Sequence, residues 1–412
     1  MDNLTHTLIS VMVGEAIYRS TPASPVLAES ARRNVAIAVM VIGGNLPDFD
    51  VIYTGLAGTK LDYLLHHRGH THTIIGALIL SLLLFVAVRL WWKYRKVEPQ
   101  PADIRFLVVL SLVAPLLHIG LDSTNSYGVH PFWPVDNRWY YGDAVFIVEP
   151  LLWACSAVLL FTLRSTLMRA VIALVLVVGL GLSWFSGLVP ASLAVLLTLL
   201  TLGLAAVSRY SSPRAALSSG IVAWLVVTAV FVATSRTAKG QVDALLADGF
   251  PTARTLDTVL TPAPANPVCR EVLAVQLADG RYVVRSAFHS LMPGWIPAGR
   301  CAQLSLNGTP TAPLIPTAQA STDEMAWIGE FSIGADVPAA LARDYCAVHS
   351  LLQFARVPWA GRSGDGWLVG DLRYDREPEL GIAEIEVGSS TDDCPRLRPP
   401  WVPPRQDLLV GS

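Results

Sequence analysis

Residues 1–235 alternate long apolar runs with short polar punctuation, and the pattern changes after that point. Apolar stretches at 4–18, 35–46, 74–92, 106–121, 144–163, 171–184, 191–207 and 221–233 make eight candidate spans. The third comes close to the ~20 residues that a bilayer core requires, whereas the first two are shorter. Beyond residue 236, short alternating segments at 271–277, 281–286, 327–333, 366–374 and 381–387 read as strands. Asp279-Gly280, Pro293-Gly294 and Asn307-Gly308 supply turn signals between them. Residues 241–246 read as a short helix and 395–404 as an extended, proline-rich tail, with no sustained helical period elsewhere in this half. The fold class expected is therefore an α-helical polytopic membrane domain of about eight spans over 1–235, followed by a β-rich extramembrane domain over 236–412.

Composition agrees with this division. The chain is 52% hydrophobic and only 15% charged, against ~25% charged in ordinary soluble domains. It carries no basic tract, so nucleic acid is not an expected partner; membrane lipids are. No cationic region precedes the first apolar stretch, which is therefore not read as a cleaved signal peptide. Where the charges fall is more informative than their sum. Arg19, Arg32, Arg33, Arg89, Lys93, Arg95, Lys96, Arg105, Arg164, Arg169, Arg209 and Arg214 would all lie on one side of the array, leaving Lys60, Arg68 and Arg138 on the other. The positive-inside rule then puts the basic loops in the cytoplasm and everything after the eighth span outside, as in a multi-pass protein of a bacterial inner membrane with a periplasmic C-terminal domain. Cys269, Cys301, Cys346 and Cys394 would land in that oxidising compartment, where two disulfides in any of three pairings are expected; Cys155 reads as a buried thiol.

The same topology gathers ionisable groups at one face. Four of the nine histidines fall between His66 and His72, just before the third span. His6, Asp48, Asp50, His118, Asp122, Asp143 and Glu149 stand at the matching ends of neighbouring spans. Polar groups at membrane depth are costly and tend to mark function. His118 and Asp122 are four apart and share a helical face, which suits two ligands of one ion or a ligand and its hydrogen-bonded partner, as well as a plain structural pair. Of Asp48 and Asp50, one can ligate while the other orients. Gly69 permits a tight turn between His67 and His72. Arg68, the single cation in the cluster, suits a phosphate, or simply an ion pair with Asp48, Asp50 or Asp62. Imidazoles and carboxylates together suit zinc, with manganese or iron as alternatives, and the donor count allows one to three divalent ions. Such a centre would fit phosphoester hydrolysis, with Asp48, Asp50 and Arg68 as the candidate catalytic groups.

The ordered motifs Asp2-x-Leu4-Thr5-His6, Asn45-Leu46-Pro47-Asp48-x-Asp50, His67-Arg68-Gly69-x-Thr71-His72-Thr73, His118-x-x-x-Asp122 with Ser126-Tyr127-Gly128, and Phe146-Ile147-Val148-Glu149-Pro150 carry a resemblance. Together they resemble the bacterial YdjM/YbcI family of LexA-binding, inner-membrane-associated metal-dependent hydrolases. That family is considered distantly similar to zinc-dependent phospholipase C and the S1/P1 nucleases. The likeness covers roughly the first 150 residues, and segments at 266–267 and 365–367 resemble long members. It implies His6, Asp48, His67, His72, His118 and Asp122 as metal ligands and leaves His66 and His70 outside the set. Glu149 stands where an aspartate is expected and is kept as a further ligand. The function expected is thus a membrane-bound metal-dependent hydrolase, acting on a lipid or other phosphoester at the periplasmic face. A metal-ion transporter or sensor, and a non-catalytic membrane scaffold, are the alternatives. No protein partner can be named.

Overall fold

A computed structural model describes all residues except 306, 375–379, 389–393 and 410–412, and the side chains of 53 and 55–57. The N-terminal half is helical: α1 (Asn3–Ser20), α2 (Glu29–Gly43), α3 (Asp50–Ala57), α4 (Lys60–His66), α5 (Ile74–Tyr94), α6 (Pro101–Asp122), α7 (Pro150–Cys155), α8 (Leu159–Thr162), α9 (Thr166–Phe185), α10 (Ala191–Tyr210) and α11 (Pro213–Gly249). Five of these, α5, α6, α9, α10 and α11, are long and apolar enough to cross a membrane; α2 with the 3-10 turn after it makes a bent sixth. Leu82, Leu90, Leu174, Val177 and Leu199 on these helices stay exposed, as lipid-facing side chains do.

The expectation of eight spans is not matched by these helices, and the reason is visible in the packing. The apolar run at 144–163 does not make one long helix. Pro150 starts a helix that reaches only Thr162, interrupted by a 3-10 turn at Ser156–Val158. At 1.5 Å per residue that is about 20 Å, short of a ~30 Å hydrocarbon core. Leu151, Leu152, Trp153, Ala154, Val158 and Leu159 are all buried within the helical bundle, so the run is apolar because it is core. Likewise α1 is central rather than peripheral. Its buried Glu15 is held by Arg33 through Nε (2.8 Å) and Nη2 (2.6 Å) and by Arg19 Nε (2.8 Å).

The short helix expected at 241–246 is the end of α11, which runs without a break for 37 residues. That is roughly 55 Å, more than a bilayer core needs. The surplus carries Ala238, Val242 and Leu246 out to pack against a sheet. The sheet has the order β1-β2-β3-β5-β4, from β1 (Arg254–Ala263), β2 (Asn266–Ala278), β3 (Arg281–Ser290), β4 (Ile315–Pro316) and β5 (Met325–Gly334), with all pairs antiparallel. Asp279 and Gly280 both take positive φ (49° and 71°), the two-residue hairpin turn whose twist matches its strands. A second sheet, β6 (Pro358–Ser363), β7 (Gly366–Asp371) and β8 (Glu384–Val387), completes the β-rich half. This half also contains helices that the sequence pattern did not suggest: α12 (Ala298–Gln303), α13 (Val337–Asp344) and α14 (Cys346–Leu351). Each is eight residues or fewer, too short for a period to register. Of the three possible pairings, the disulfides are Cys269–Cys301 and Cys346–Cys394; Cys155 is a buried free thiol.

The two halves are interlocked. Fully buried Arg270 on β2 donates to Ala144 O (2.9 Å), Phe231 O (3.2 Å) and Thr234 Oγ1 (2.8 Å). Arg356 bridges Asp143 Oδ1 and Asp257 Oδ2, both at 2.8 Å. Arg373 forks onto Asp371 and donates to Ser126 O (2.8 Å), in the loop that follows α6.

Candidate metal centre

Three local features bring the donors together. First, α6 ends at Asp122, so His118 and Asp122 project from its last turn, and both are fully buried. Second, α2 stops at Gly43, and Pro47 opens the 3-10 turn Leu46–Phe49 that presents Asp48. The bend at this break is 51°. Third, α4 ends at His66 and the chain turns through Arg68, whose φ is +60°, before His72. Asp50 fixes that turn: it accepts from His67 Nδ1 (3.0 Å), Arg68 N (2.9 Å) and Thr71 Oγ1 (3.0 Å).

Asp48, His72, His118 and Asp122 each direct one donor atom into a common space, all within 4.8 Å of one another. Five of the six separations are resolved. His72 Nε2 lies 3.3 Å from Asp48 Oδ1 and 3.2 Å from Asp122 Oδ2. His118 Nε2 lies 3.4 Å from Asp48 Oδ1 and 3.3 Å from Asp122 Oδ2. The two Nε2 atoms are 3.0 Å apart. Metal–ligand bonds of ~2.0–2.1 Å in a tetrahedron would separate the ligands by about 3.3 Å, so the spacing is that of a tetrahedral donor shell.

Protonation supports the same fit. His118 Nδ1 sits 2.7 Å from Gly44 O, a carbonyl that can only accept, so Nδ1 carries hydrogen and a neutral ring offers a lone pair at Nε2. His72 Nδ1 faces Thr71 Oγ1 (3.1 Å) and Asp50 Oδ2 (3.5 Å), which likewise favours hydrogen at Nδ1. With both rings neutral, two imidazole lone pairs and two carboxylate oxygens converge, and Asp122 Oδ2 is buried without a hydrogen-bond partner among the described residues. A single proton between the two Nε2 atoms would serve one contact; a cation would serve all of them.

Around this shell the remaining candidates take distinct places. His6 stacks on His118 (centroids 3.8 Å apart), with Nε2 3.3 Å from Asp122 Oδ1 and neither ring nitrogen hydrogen-bonded. The amino group of Met1 also lies against Asp122 Oδ1. Arg68 is buried, ion-paired to Asp122 Oδ1 (3.1 Å), bonded to Asn125 Oδ1 (2.9 Å) and stacked over Tyr127. His67 is held by Asp50, with its ring centre 6.0 Å from that of His72. Glu149 is placed apart from the shell: it caps Leu151 N (2.9 Å) and accepts from Ala265 N (3.1 Å), linking α7 to the β-rich half. His66 and His70 stand outside the shell, His66 against Leu397 O and His70 against Trp133 and Trp401.

Residues 1–189 match the YdjM inner membrane protein family. The YdjM region thus holds every member of the donor shell, and the β-rich half lies beyond the match. The chain is also similar to the uncharacterized protein YfhP of Bacillus subtilis (strain 168), 25% identical over 152 residues. That similarity spans 37% of this chain and 43% of YfhP, so less than half of either protein. No solved structure matches.

Several contributors were not read from the sequence. Gly44 acts through its carbonyl, which no side-chain motif reveals. Asn125 binds Arg68 and also caps Tyr127 N (3.0 Å). The tail lies over the histidine loop: Trp401 donates to Leu65 O (2.7 Å) and stacks on His130 (3.8 Å), which Trp139 contacts from another side. The signal for this was a tryptophan set among prolines, Pro399-Pro400-Trp401-Val402-Pro403, in a segment otherwise read only as extended. Burial between these rings pushes the His130 imidazole down to about 3.

Proposed function

We propose that this protein is a membrane-embedded, metal-dependent phosphoester hydrolase with its centre on the outer side of the bacterial inner membrane. The observation that carries the proposal is the tetrahedral spacing of four lone-pair donors, from Asp48, His72, His118 and Asp122, which would hold one divalent ion, with zinc the best chemical fit. His6, beside Asp122, could extend the set to a second ion. When bound, such a cation supplies Lewis acidity toward a phosphoryl oxygen.

The chain's own residues then divide the work. Asp50 uses both oxygens on the His67–Thr71 turn, so its role is to position that turn. His67 is the group we assign to proton transfer. Its Nδ1 is fixed by Asp50, and Nε2 has no hydrogen bond among the described residues, the arrangement of an oriented base. Arg68 holds Asp122 in place, and its buried Nε has no hydrogen-bond partner among the described residues; a phosphate would reach this guanidinium only if the loop opened. The positive-inside bias supports the outer placement, and both disulfides agree with an oxidising compartment.

The test is metal content of the detergent-purified protein beside a His118→Ala/Asp122→Ala variant, with phosphodiester and phosphomonoester turnover measured on the same samples. Tightly held zinc and turnover lost together support the reading. A folded wild-type protein that retains no metal from a zinc-supplemented preparation refutes it.

A further inference from the structure

At the opposite end of the bundle from the donor shell lies an open cavity of about 610 Å³, lined by the end of α1, the α1–α2 loop and the start of α11. His6 and Arg19 on α1 are 13 residues apart, roughly 20 Å along the helix, so the two sites are separate. Arg19, Arg32 and Arg214 line the cavity. Arg19 is matched by Glu15, which also binds Arg33. Arg32 and Arg214 have no carboxylate ion pair among the described residues. Glu29, the carboxylate in the wall, is engaged by Arg164 (2.6 Å) and Tyr18 OH (3.1 Å). Buried Asp103 lies near enough to Arg32 for its charge to act on it, and with Glu15 and Glu29 it is still outnumbered by Arg19, Arg32, Arg33, Arg164 and Arg214, so the cavity is left with an excess of positive charge.

Two features point that charge at a ligand. Arg32 is 5% exposed, gives Nη2 to Thr21 Oγ1 (2.6 Å), lies over the Phe106 ring (4.1 Å) and leaves Nε buried with no partner. A planar donor held this way, lining a cavity, meets an oxyanion at low entropic cost. Independently, α2 begins at this wall with Ala28 as its N-cap, so its first-turn N–H groups receive no side-chain cap; the N-terminus of α11 lies beside it but is capped by Ser212 Oγ, which accepts from Ala215 N (3.3 Å). Helix N-termini favour anions for reasons of dipole and orphan donors alike. Leu27 and the Tyr18 ring supply an apolar wall.

We infer that this cavity is a binding site for a phosphate-bearing anion, of the kind carried by an anionic phospholipid headgroup. The full-length protein, purified in detergent and stripped of lipid, would be titrated with phosphatidylglycerol, phosphatidylcholine and inorganic phosphate while its thermal unfolding is followed by tryptophan fluorescence. The expected result is saturable stabilisation by phosphatidylglycerol but not phosphatidylcholine, with half-saturation weakened about tenfold in Arg32→Gln and in Arg214→Gln. Ala23→Glu places a carboxylate at an exposed wall position without removing a native contact, and should weaken binding in the same way even if Arg32→Gln fails to fold. If inorganic phosphate alone saturates the effect with the same dependence on these residues, the site stands and its source is soluble phosphate. Equal effects of the two lipids, or a phosphatidylglycerol effect undiminished in both Arg214→Gln and Ala23→Glu, overturn the inference.

Discussion

Asp48→Asn separates a metal centre from a hydrogen-bonded ion cluster, because only a metal centre makes its effect depend on bound metal. Asp48 contacts His72 and His118, and its carboxylate shares the donor shell with Asp122, within 4.8 Å. With both rings neutral and no metal ion bound, the two carboxylates repel. At an effective dielectric of about 20, unit charges at that separation cost about 3 kcal/mol. Arg68, 3.1 Å from Asp122, and the Met1 amino group on the same carboxylate offset most of this, leaving about 1 kcal/mol or less to be relieved on neutralising Asp48. Asp48→Asn should therefore leave the unfolding temperature of the chelator-treated protein nearly unchanged. In metal-saturated protein the same change removes one of four ligands. A 100-fold loss of affinity would remove about 2.7 kcal/mol of ligand-linked stability, so the unfolding temperature should fall. The assay is thermal unfolding of both proteins in detergent, with chelator and with zinc, alongside metal stoichiometry. If Asp48→Asn destabilises the protein equally in both conditions, Asp48 serves as an ion-pair partner of protonated histidine and the tetrahedral argument fails.

Three other perturbations have defined outcomes. Because folding keeps His130 neutral down to about pH 3, the unfolded chain binds the extra proton between pH 6.5 and 3 and stability drops as the pH falls through that window. The loss is about 2 kcal/mol at pH 5, and His130→Phe should flatten that slope in unfolding measured against pH. Arg356→Gln leaves Asp143 and Asp257 without their bridging cation and should cost about 3–5 kcal/mol, read as easier proteolysis between the helical and β-rich halves. Trp401→Ala removes the ring that stacks on His130 and bonds Leu65, and should cost about 3–5 kcal/mol locally, seen as faster amide exchange at residues 64–70 while exchange in α9 and α10 is unchanged.

How much was legible in the sequence followed the range of the interactions involved. The donors themselves were readable, because His118 and Asp122 are related by a helical turn and His67, Arg68 and His72 by a tight one. The grouping of span ends at one face followed from topology. What could not be read was which donors point inward. Asp48 and Asp50 are two apart and looked interchangeable, yet the break after Gly43 sends Asp48 into the shell and Asp50 beneath the turn. Glu149 had the right position along the chain, but its partner Ala265 arrives from 116 residues away. Apolar length misled for a related reason: a segment buried mostly against protein, such as 150–162, is as hydrophobic as one facing lipid, and its length in the folded chain helps tell them apart.

These placements bear on why the β-rich half exists. The histidine loop connects two helices through Arg68 at positive φ, and Asp50 holds it from within. The donor spacing in the shell, 3.0–3.4 Å on every resolved edge, tolerates little motion of that loop. Further restraint comes from outside the YdjM region: Arg396 N on Asp62, Leu397 O on His66, Trp401 on Leu65 and His130, and Arg373 on the Ser126 carbonyl. The tail that makes three of these contacts is joined to α14 through Cys346–Cys394. The helical half supplies the donors, and the β-rich half and its tail limit how far the donor-bearing loop can move.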